Sequence, residues 1–393
     1  MKNKALISFL SAVVVLIVGL LIGFVILFIS NQEQAWTAFI TILTHGSSSM
    51  RIIGDVLLGA TPIIFTGLSV AFAFRTGLFN IGATGQFTLG AFTAVYIAIE
   101  FTFLPPGIRV LVATIAAILV GALWGSIPGI LKATRNVHEV ITCIMTNYIA
   151  MFLVTYLVQE YTFNPSAGKS HPPPLDARLP SLGFENIFVN GRPSSVDIGI
   201  VLAILAAILI YIILQKTTFG YELKACGFNS DAAKYAGINQ KRNIIFSMMI
   251  CGALSGFGGA LTYIGGSGLT LDIVHALLMD GFVGISVAFL GMNHPIGIIF
   301  SGTLISYLST GGTRIQTTAG FPTEFINIVI AIIIYFCAFV LLVNSLLGNG
   351  IQKLFHMKEV SELEMEDNEE IKTVIDTENP KQSDVEKTPG GDK

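Results

Sequence analysis

Charge is scarce in this chain. Asp, Glu, Lys and Arg together make up 12% of the residues against 53% that are apolar, a balance no water-soluble domain of 393 residues sustains. Its main solvent is therefore lipid. Cysteine is sparse and scattered: Cys143, Cys226, Cys251 and Cys337 show no CxxC spacing, which argues against a disulfide framework and a thiolate metal site. The six histidines show no HxxxH or HExxH spacing, so no metal is expected. Catalytic signatures are missing as well. There is no GxSxG elbow and no credible nucleophile–base pair, so neither an enzyme nor a cofactor is expected. Ala167-Gly168-Lys169-Ser170 imitates the end of a phosphate-binding P-loop, but Phe163 stands at its first glycine and no strand precedes it. ATP is not expected to bind here, and no nucleic-acid partner is expected.

Long apolar runs and glycine are abundant instead. Residues 5–29 form an uncharged run behind Lys2 and Lys4, long enough to cross a bilayer core of about 30 Å and too long for a cleaved signal peptide. Further spans are expected at 52–74, 78–99, 108–131, 137–158, 196–214, 244–265, 281–292, 295–311 and 324–346. The reading is an all-α, polytopic bundle of about ten spanning or half-spanning helices in contact with membrane lipid. The segments 281–292 and 295–311 are short and meet at Asn293-His294-Pro295, so two half-helices and one bent hairpin both remain open. Residues 31–50 can touch the membrane without crossing it. The 40 glycines, with Gly252/Gly256 and Ser255/Gly259 at four-residue spacing, suit helices packed through small residues.

This threading puts both termini and most of the bases, among them Arg75, Lys132, Arg135, Lys216, Lys224, Lys241 and Arg242, on the cytoplasmic side, as the positive-inside rule asks. Residues 1–346 form the membrane domain. The segment 347–393 is an acidic cytoplasmic tail, read as disordered. Two loops stand out. The outer one, 159–195, carries Pro172-Pro173-Pro174 and suits a lid or docking surface. The inner one, 215–243, holds a short helix signal with Asn229 or Ser230 as N-cap, Asp231 in the first turn and Gly237 as the stop.

Three polar motifs interrupt the oily pattern. Gly77–Gln86 sits where a span should begin and mixes Asn80, Gly82 and Gln86 with further glycines; it reads equally as a broken helix lining a solute path and as a polar helix–helix contact. Asn136–Val140 leads into Thr142, Thr146 and Asn147, with Glu139 at a helix start where the dipole favours an acid. Ser230–Ile238, with Ala232, Ala233 and Tyr235, is too short to be stable alone and needs something to dock against.

Taken together, Pro62, Gly67-Leu68 with Gly77–Gln86, Asn136–Glu139 with Met145–Ala150, and Phe219-Gly220 through Ala225, Gly227, Asn229, Ala232-Ala233 and Gly237-Ile238 resemble one family. They are similar to permease subunits of ATP-binding cassette (ABC) importers, in the branched-chain amino acid and simple-sugar branch, and within it to the nucleoside-importer type. The resemblance spans roughly 50–345. It implies a multi-pass protein of the bacterial cell membrane that forms a nucleoside path with a second, homologous permease in a heterodimer. It further implies ATPase subunits inside and a substrate-binding lipoprotein outside. Simple sugars or branched-chain amino acids are the alternative cargo, and an ion-coupled secondary transporter is a rival that would need buried ionisable groups. Asn80, Gly82, Gln86, Glu139, Thr146 and Asn147 are expected to border the path. Asn229, Ser230, Asp231, Ala232, Ala233, Tyr235 and Gly237 are expected to couple to the ATPase. This chain departs from the family pattern at Cys226 and at Ala83-Thr84, where an acid commonly precedes Gly-Gln.

Overall fold

The computed structural model of the protein describes residues 2–322 and short stretches between 327 and 345. About half of the expected span at 324–346 and all of the acidic tail lie outside the described residues. The helices are α1 Lys2–Ser30, α2 Gln32–Thr44, α3 Met50–Arg75, α4 Ala83–Glu100, α5 Pro106–Arg135, α6 Glu139–Leu157, α7 Phe184–Ile187, α8 Gly199–Lys216, α9 Thr218–Phe228, α10 Ser230–Tyr235, α11 Gln240–Tyr263, α12 Asp280–Leu290 and α13 Pro295–Ala319. Nine of the ten expected spans coincide with one of them. Among the described residues six helices are long and apolar enough to cross a membrane. α4 and α13 reach spanning length with a more polar composition, and α12, at 11 residues, is about 17 Å long, half a bilayer core. The open question at 281–311 thus resolves into one half-length and one full-length helix. They are joined by Gly291–His294, with Met292 and Asn293 in left-handed conformation (φ 55° and 52°).

Helices α3 and α4 lie inside the bundle. Ala60–Ala73 and Ala83–Phe92 are buried without a break. α5 and α11 enclose them through a stripe of small residues. Along α5, Ala113, Ala117, Gly121, Gly125 and Gly129 recur every fourth residue, so they share one face. A Cβ on Gly121 would overlap the Gly252 carbonyl, one on Gly125 the Met248 carbonyl, and one on Gly256 would press on the Ala117 carbonyl. On its other side Gly256 meets Gly90 of α4, and Gly259 meets Phe87. Backbones approach this closely only without side chains between them, and dispersion over that contact is what holds helices together in lipid.

The bundle has two unlike ends. One carries Arg75, Lys132, Arg135, Lys216, Lys241 and Arg242 together with α9 and α10; it is called the basic end below. The opposite end is covered by residues 163–198 and 264–279. The long loop is no loose lid. It holds two small hairpins, β1 Phe163–Asn164 with β2 Lys169–Ser170 and β3 Val189–Asn190 with β4 Arg192–Pro193. It is also tied down at four places. Arg109 pairs with Asp176 at 2.8 Å, Lys169 with Asp272 at 2.8 Å, and Ser194 bonds Asp55 at 2.5 Å. The buried Asp197 accepts the backbone N–H groups of Gly199 and Gly266, both at 2.7 Å. Desolvation nevertheless raises the Asp197 pKa above the usual carboxylate range.

A side chain forced between α5 and α11 tests the small-residue contact. Gly252→Val is expected to destabilise the detergent-purified protein by about 1–3 kcal/mol through overpacking, read as a lowered thermal midpoint. Gly107→Ala, whose added methyl meets nothing within 4 Å, should leave the midpoint unchanged.

Candidate functional site

Helix α3 stops at Arg75 because Gly77 turns left-handed (φ 74°). Gly77 then donates to the Phe74 carbonyl at 3.2 Å and Leu78 to the Ala73 carbonyl at 2.9 Å, the bond pair of a Schellman stop. The next helix starts at Ala83, five residues later than the span expected from 78. Residues 76–82 are therefore non-helical backbone inside an apolar bundle, a state allowed only where protein groups replace the lost helix bonds. Asn147 of α6 supplies them. Its Oδ1 accepts the Gly85 N–H at 2.9 Å and its Nδ2 donates to the Ile81 carbonyl at 3.0 Å.

A second amide contact closes the break from within. Asn80 Nδ2 donates to Gln86 Oε1 at 2.9 Å and Gln86 Nε2 returns a bond to Asn80 Oδ1 at 3.2 Å. Asn80 Nδ2 also reaches Ser69 Oγ at 2.9 Å, and Ser69 in turn donates to the Cys251 carbonyl at 2.8 Å. Gly82 fits because a Cβ there would sit 3.1–3.2 Å from Asn80, Cys143 and Gln86 atoms. Asn80, Gly82, Gln86 and Asn147 thus form one cluster, and its three amide side chains are all at most 1% exposed. Thr146 stands beside it, donating to the Cys143 carbonyl at 3.0 Å, while its own carbonyl accepts Trp124 Nε1 at 3.3 Å. Glu139 does not join them. It lies at the start of α6 at the basic end, paired with Lys132 at 3.0 Å. In this conformation the amides bond one another and the backbone.

The basic end is built as the sequence leads one to expect. Asn229 is the N-cap of α10, accepting the N–H groups of Asp231 and Ala232 at 3.1 and 3.0 Å, and Ser230 is the first helical residue. Gly237 (φ 80°) ends the segment, with Ile238 donating to the Ala233 carbonyl at 3.0 Å. Ala233 faces inward at 3% exposure, while its neighbours Asp231, Ala232, Lys234 and Tyr235 are exposed. Tyr235 is 95% exposed, Phe228 91% and Tyr221 70%, three aromatic rings on one short segment. Glu222 fastens α9 to α11 through Arg242 at 3.2 Å and Asn243 at 3.3 Å. Gly227 lies backbone to backbone against Gly77, where a Cβ on either would meet the backbone of the other at 2.5–2.7 Å. Helix α9 therefore touches the broken stretch directly.

One group is not among the sequence candidates: Asp280, just before the expected span 281–292, opens α12 inside the bundle. The Asp280 carbonyl accepts Thr66 Oγ1 at 3.0 Å, and Thr66 lies nine residues, about 14 Å, from the Arg75 end of α3. A lone acid before an apolar run of only 11 residues was the available signal, since so short a helix must start inside the core.

With this geometry in place, comparison with known proteins is decisive. Residues 52–338 match the model of the family described as branched-chain amino acid transport system / permease component. The chain belongs to that permease family. It is 38% identical to the guanosine ABC transporter permease protein NupP of Bacillus subtilis, over 85% of this chain and 94% of NupP. It is 35% identical to the nucleoside ABC transporter permease protein NupB of Lactococcus lactis, over 88% and 95%. It is 31% identical to the glucose ABC transporter permease protein TsgB13 of Haloferax volcanii, over 72% and 74%. No solved structure matches the chain. For a permease of this family the break at 76–82 is a built feature, since every hydrogen-bonding side chain in the cluster has a partner.

Asn147→Leu in this permease strips partners from the Gly85 N–H and the Ile81 carbonyl. Each buried group left unpaired costs about 1–3 kcal/mol, so a marked fall in the thermal midpoint is expected. Leu123→Ala, altering an exposed residue of α5 (63%), should fall within experimental scatter.

Proposed function

We propose that the chain is one of two permeases of an ABC importer for nucleosides. The observation that carries this reading is the 35–38% identity to nucleoside and guanosine permeases over nearly the whole chain. The identity to a glucose permease, at 31% over less of the chain, supports a sugar cargo as the second reading.

In this proposal the basic end faces the cytoplasm of a bacterial cell, in keeping with the positive-inside rule, and both termini lie there. The cargo is a neutral, hydroxylated solute. Asn80, Gly82, Gln86, Thr146 and Asn147 border its path, and Glu139, neutralised by Lys132, stands at the cytoplasmic mouth. The amides hold the break at 76–82 shut in the conformation described and release it as the helices rock.

An ATPase subunit docks on Asn229–Gly237. The exposed aromatic rings and Ala232 support this, since an unpartnered apolar patch at a charged end needs a covering protein. Movement of α9 and α10 reaches the path through the Gly227–Gly77 contact. The second permease, a homologue forming a heterodimer, covers the α6 face that exposes Tyr148, Phe152 and Tyr156. A substrate-binding lipoprotein delivers nucleoside to the end covered by 163–198.

Uptake of labelled guanosine, uridine and glucose by a deletion strain complemented with the wild-type chain or with Ala232→Trp tests the proposal. Wild type is expected to restore nucleoside uptake, and Ala232→Trp to lose it together with co-purification of the ATPase. Glucose uptake alone would overturn the cargo. Full uptake and co-purification with Ala232→Trp would overturn the docking site.

A further inference from the structure

We propose that the Asp280 carboxylate is the group that reads the solute, accepting hydrogen bonds from an adjacent pair of N–H or O–H donors on a neutral nucleoside. The nucleoside class rests on the function proposed above; the carboxylate contact rests on the following geometry.

Asp280 begins a helix of half-bilayer length, beside Thr66 about two-thirds of the way along the central helix α3, where Thr66 Oγ1 bonds its carbonyl at 3.0 Å. The neighbouring glycines fix that position. A Cβ on Gly281 would overlap Thr84 at the start of α4, and one on Gly284 would press on Thr66, so α12 is wedged against both central helices and its first turn has no room to slide. Among the described residues no cation and no donor of another residue is hydrogen-bonded to the carboxylate. The side chain is partly exposed, next to Met279 at 67%.

Such a carboxylate cannot face lipid at this depth. Intramembrane ionisable groups turn to a partner, to the bundle interior or to a water-filled passage, and here the protein provides no partner. A second orphan stands at the same turn. Thr84, 0% exposed, leaves its Oγ1 without a hydrogen-bond partner, facing the Gly281 backbone. Tyr263, at the end of α11, is within electrostatic reach of Asp280. Polar capacity is thus left open at one turn in the middle of the bundle.

A carboxylate with two free oxygens selects ligands that offer two donors side by side. A nucleoside has such pairs in the vicinal ribose hydroxyls and, for guanine, in N1–H with the exocyclic amine. Charge-assisted bonds of this kind are about twice as strong as neutral ones. The position also serves gating. Asp280 touches, through Gly281, the residue that precedes Gly85, whose N–H is held by Asn147. Solute at the carboxylate and movement at the break therefore meet at one turn of α4.

The test uses the complete transporter in the deletion strain. Asp280→Asn is expected to lower uptake at limiting nucleoside about tenfold or more. ATPase co-purification and basal hydrolysis should stay unchanged, and Asp280→Glu should keep more uptake than the amide. Competition by 2′,3′-dideoxynucleosides against adenosine and guanosine separates ribose from base as the donor pair. Asp280→Cys, compared with the parent chain, is expected to react with a water-soluble thiol reagent and to be protected by excess nucleoside. Wild-type uptake by Asp280→Asn, or a thiol in the Asp280→Cys variant that the water-soluble reagent never reaches, would overturn the assignment. If the parent carries only glucose, the nucleoside reading fails, while a tenfold loss of glucose uptake in Asp280→Asn would still support the carboxylate contact.

Discussion

A helix broken inside an oily bundle must have its freed backbone groups satisfied by protein, and in this chain one asparagine carries most of that duty. Asn147 holds the Ile81 carbonyl with its amide nitrogen and the Gly85 N–H with its oxygen. The reciprocal Asn80–Gln86 pair fills the inside of the bend. The three amides are at most 1% exposed, so solvent does not take over these bonds in this conformation and the segment 76–82 keeps its course only while both contacts stand. The position of α4, the seat of α12 upon it and the line from the basic end to the middle of the bundle all follow.

Around that clamp the molecule is joined by closeness of backbone. The α5–α11 seam, the Gly90–Gly256 crossing and the Gly77–Gly227 touch replace side-chain packing with direct contact between main chains. This is the usual answer where lipid offers no hydrophobic drive, and it has a mechanical consequence. Backbones in contact have no rotamers to absorb a displacement, so a shift of α9 is passed to residue 77 nearly undiminished. From there the chain runs a few residues to the clamp and on to Thr84, against which α12 rests. Helix α9 and the middle of the bundle are separated by one short, bonded stretch.

Much of this was legible in the sequence. Long apolar runs marked nine of the helices, and the Asn229 cap and Gly237 stop of α10 followed from local chemistry that depends on few neighbours. The Gly77–Gln86 motif leaves a broken helix and a polar helix contact equally open, and α4 begins at Ala83 rather than 78, because whether glycine-rich backbone stays helical is decided by what surrounds it. The amides at 80, 86 and 147 were legible as polar groups in the bundle; that Asn147 clamps the backbone on either side of the break was not, since residues about sixty positions apart must meet. The inward face of Ala233 and the four ties of the 159–195 loop are long-range for the same reason. Asp280 went unread because hydropathy locates helix ends along the sequence and says nothing of their depth.

Central to the account is that motion at the basic end reaches the solute level through the Gly227–Gly77 contact. The direct measurement is the number of nucleosides moved per ATP hydrolysed by the complete transporter in proteoliposomes, with wild-type chain and with Gly227→Val. The account predicts that the variant, its added side chain forced against the Gly77 backbone, continues to hydrolyse ATP while nucleoside transport falls several-fold. Transport and hydrolysis both at wild-type levels, or falling in equal proportion, would contradict it.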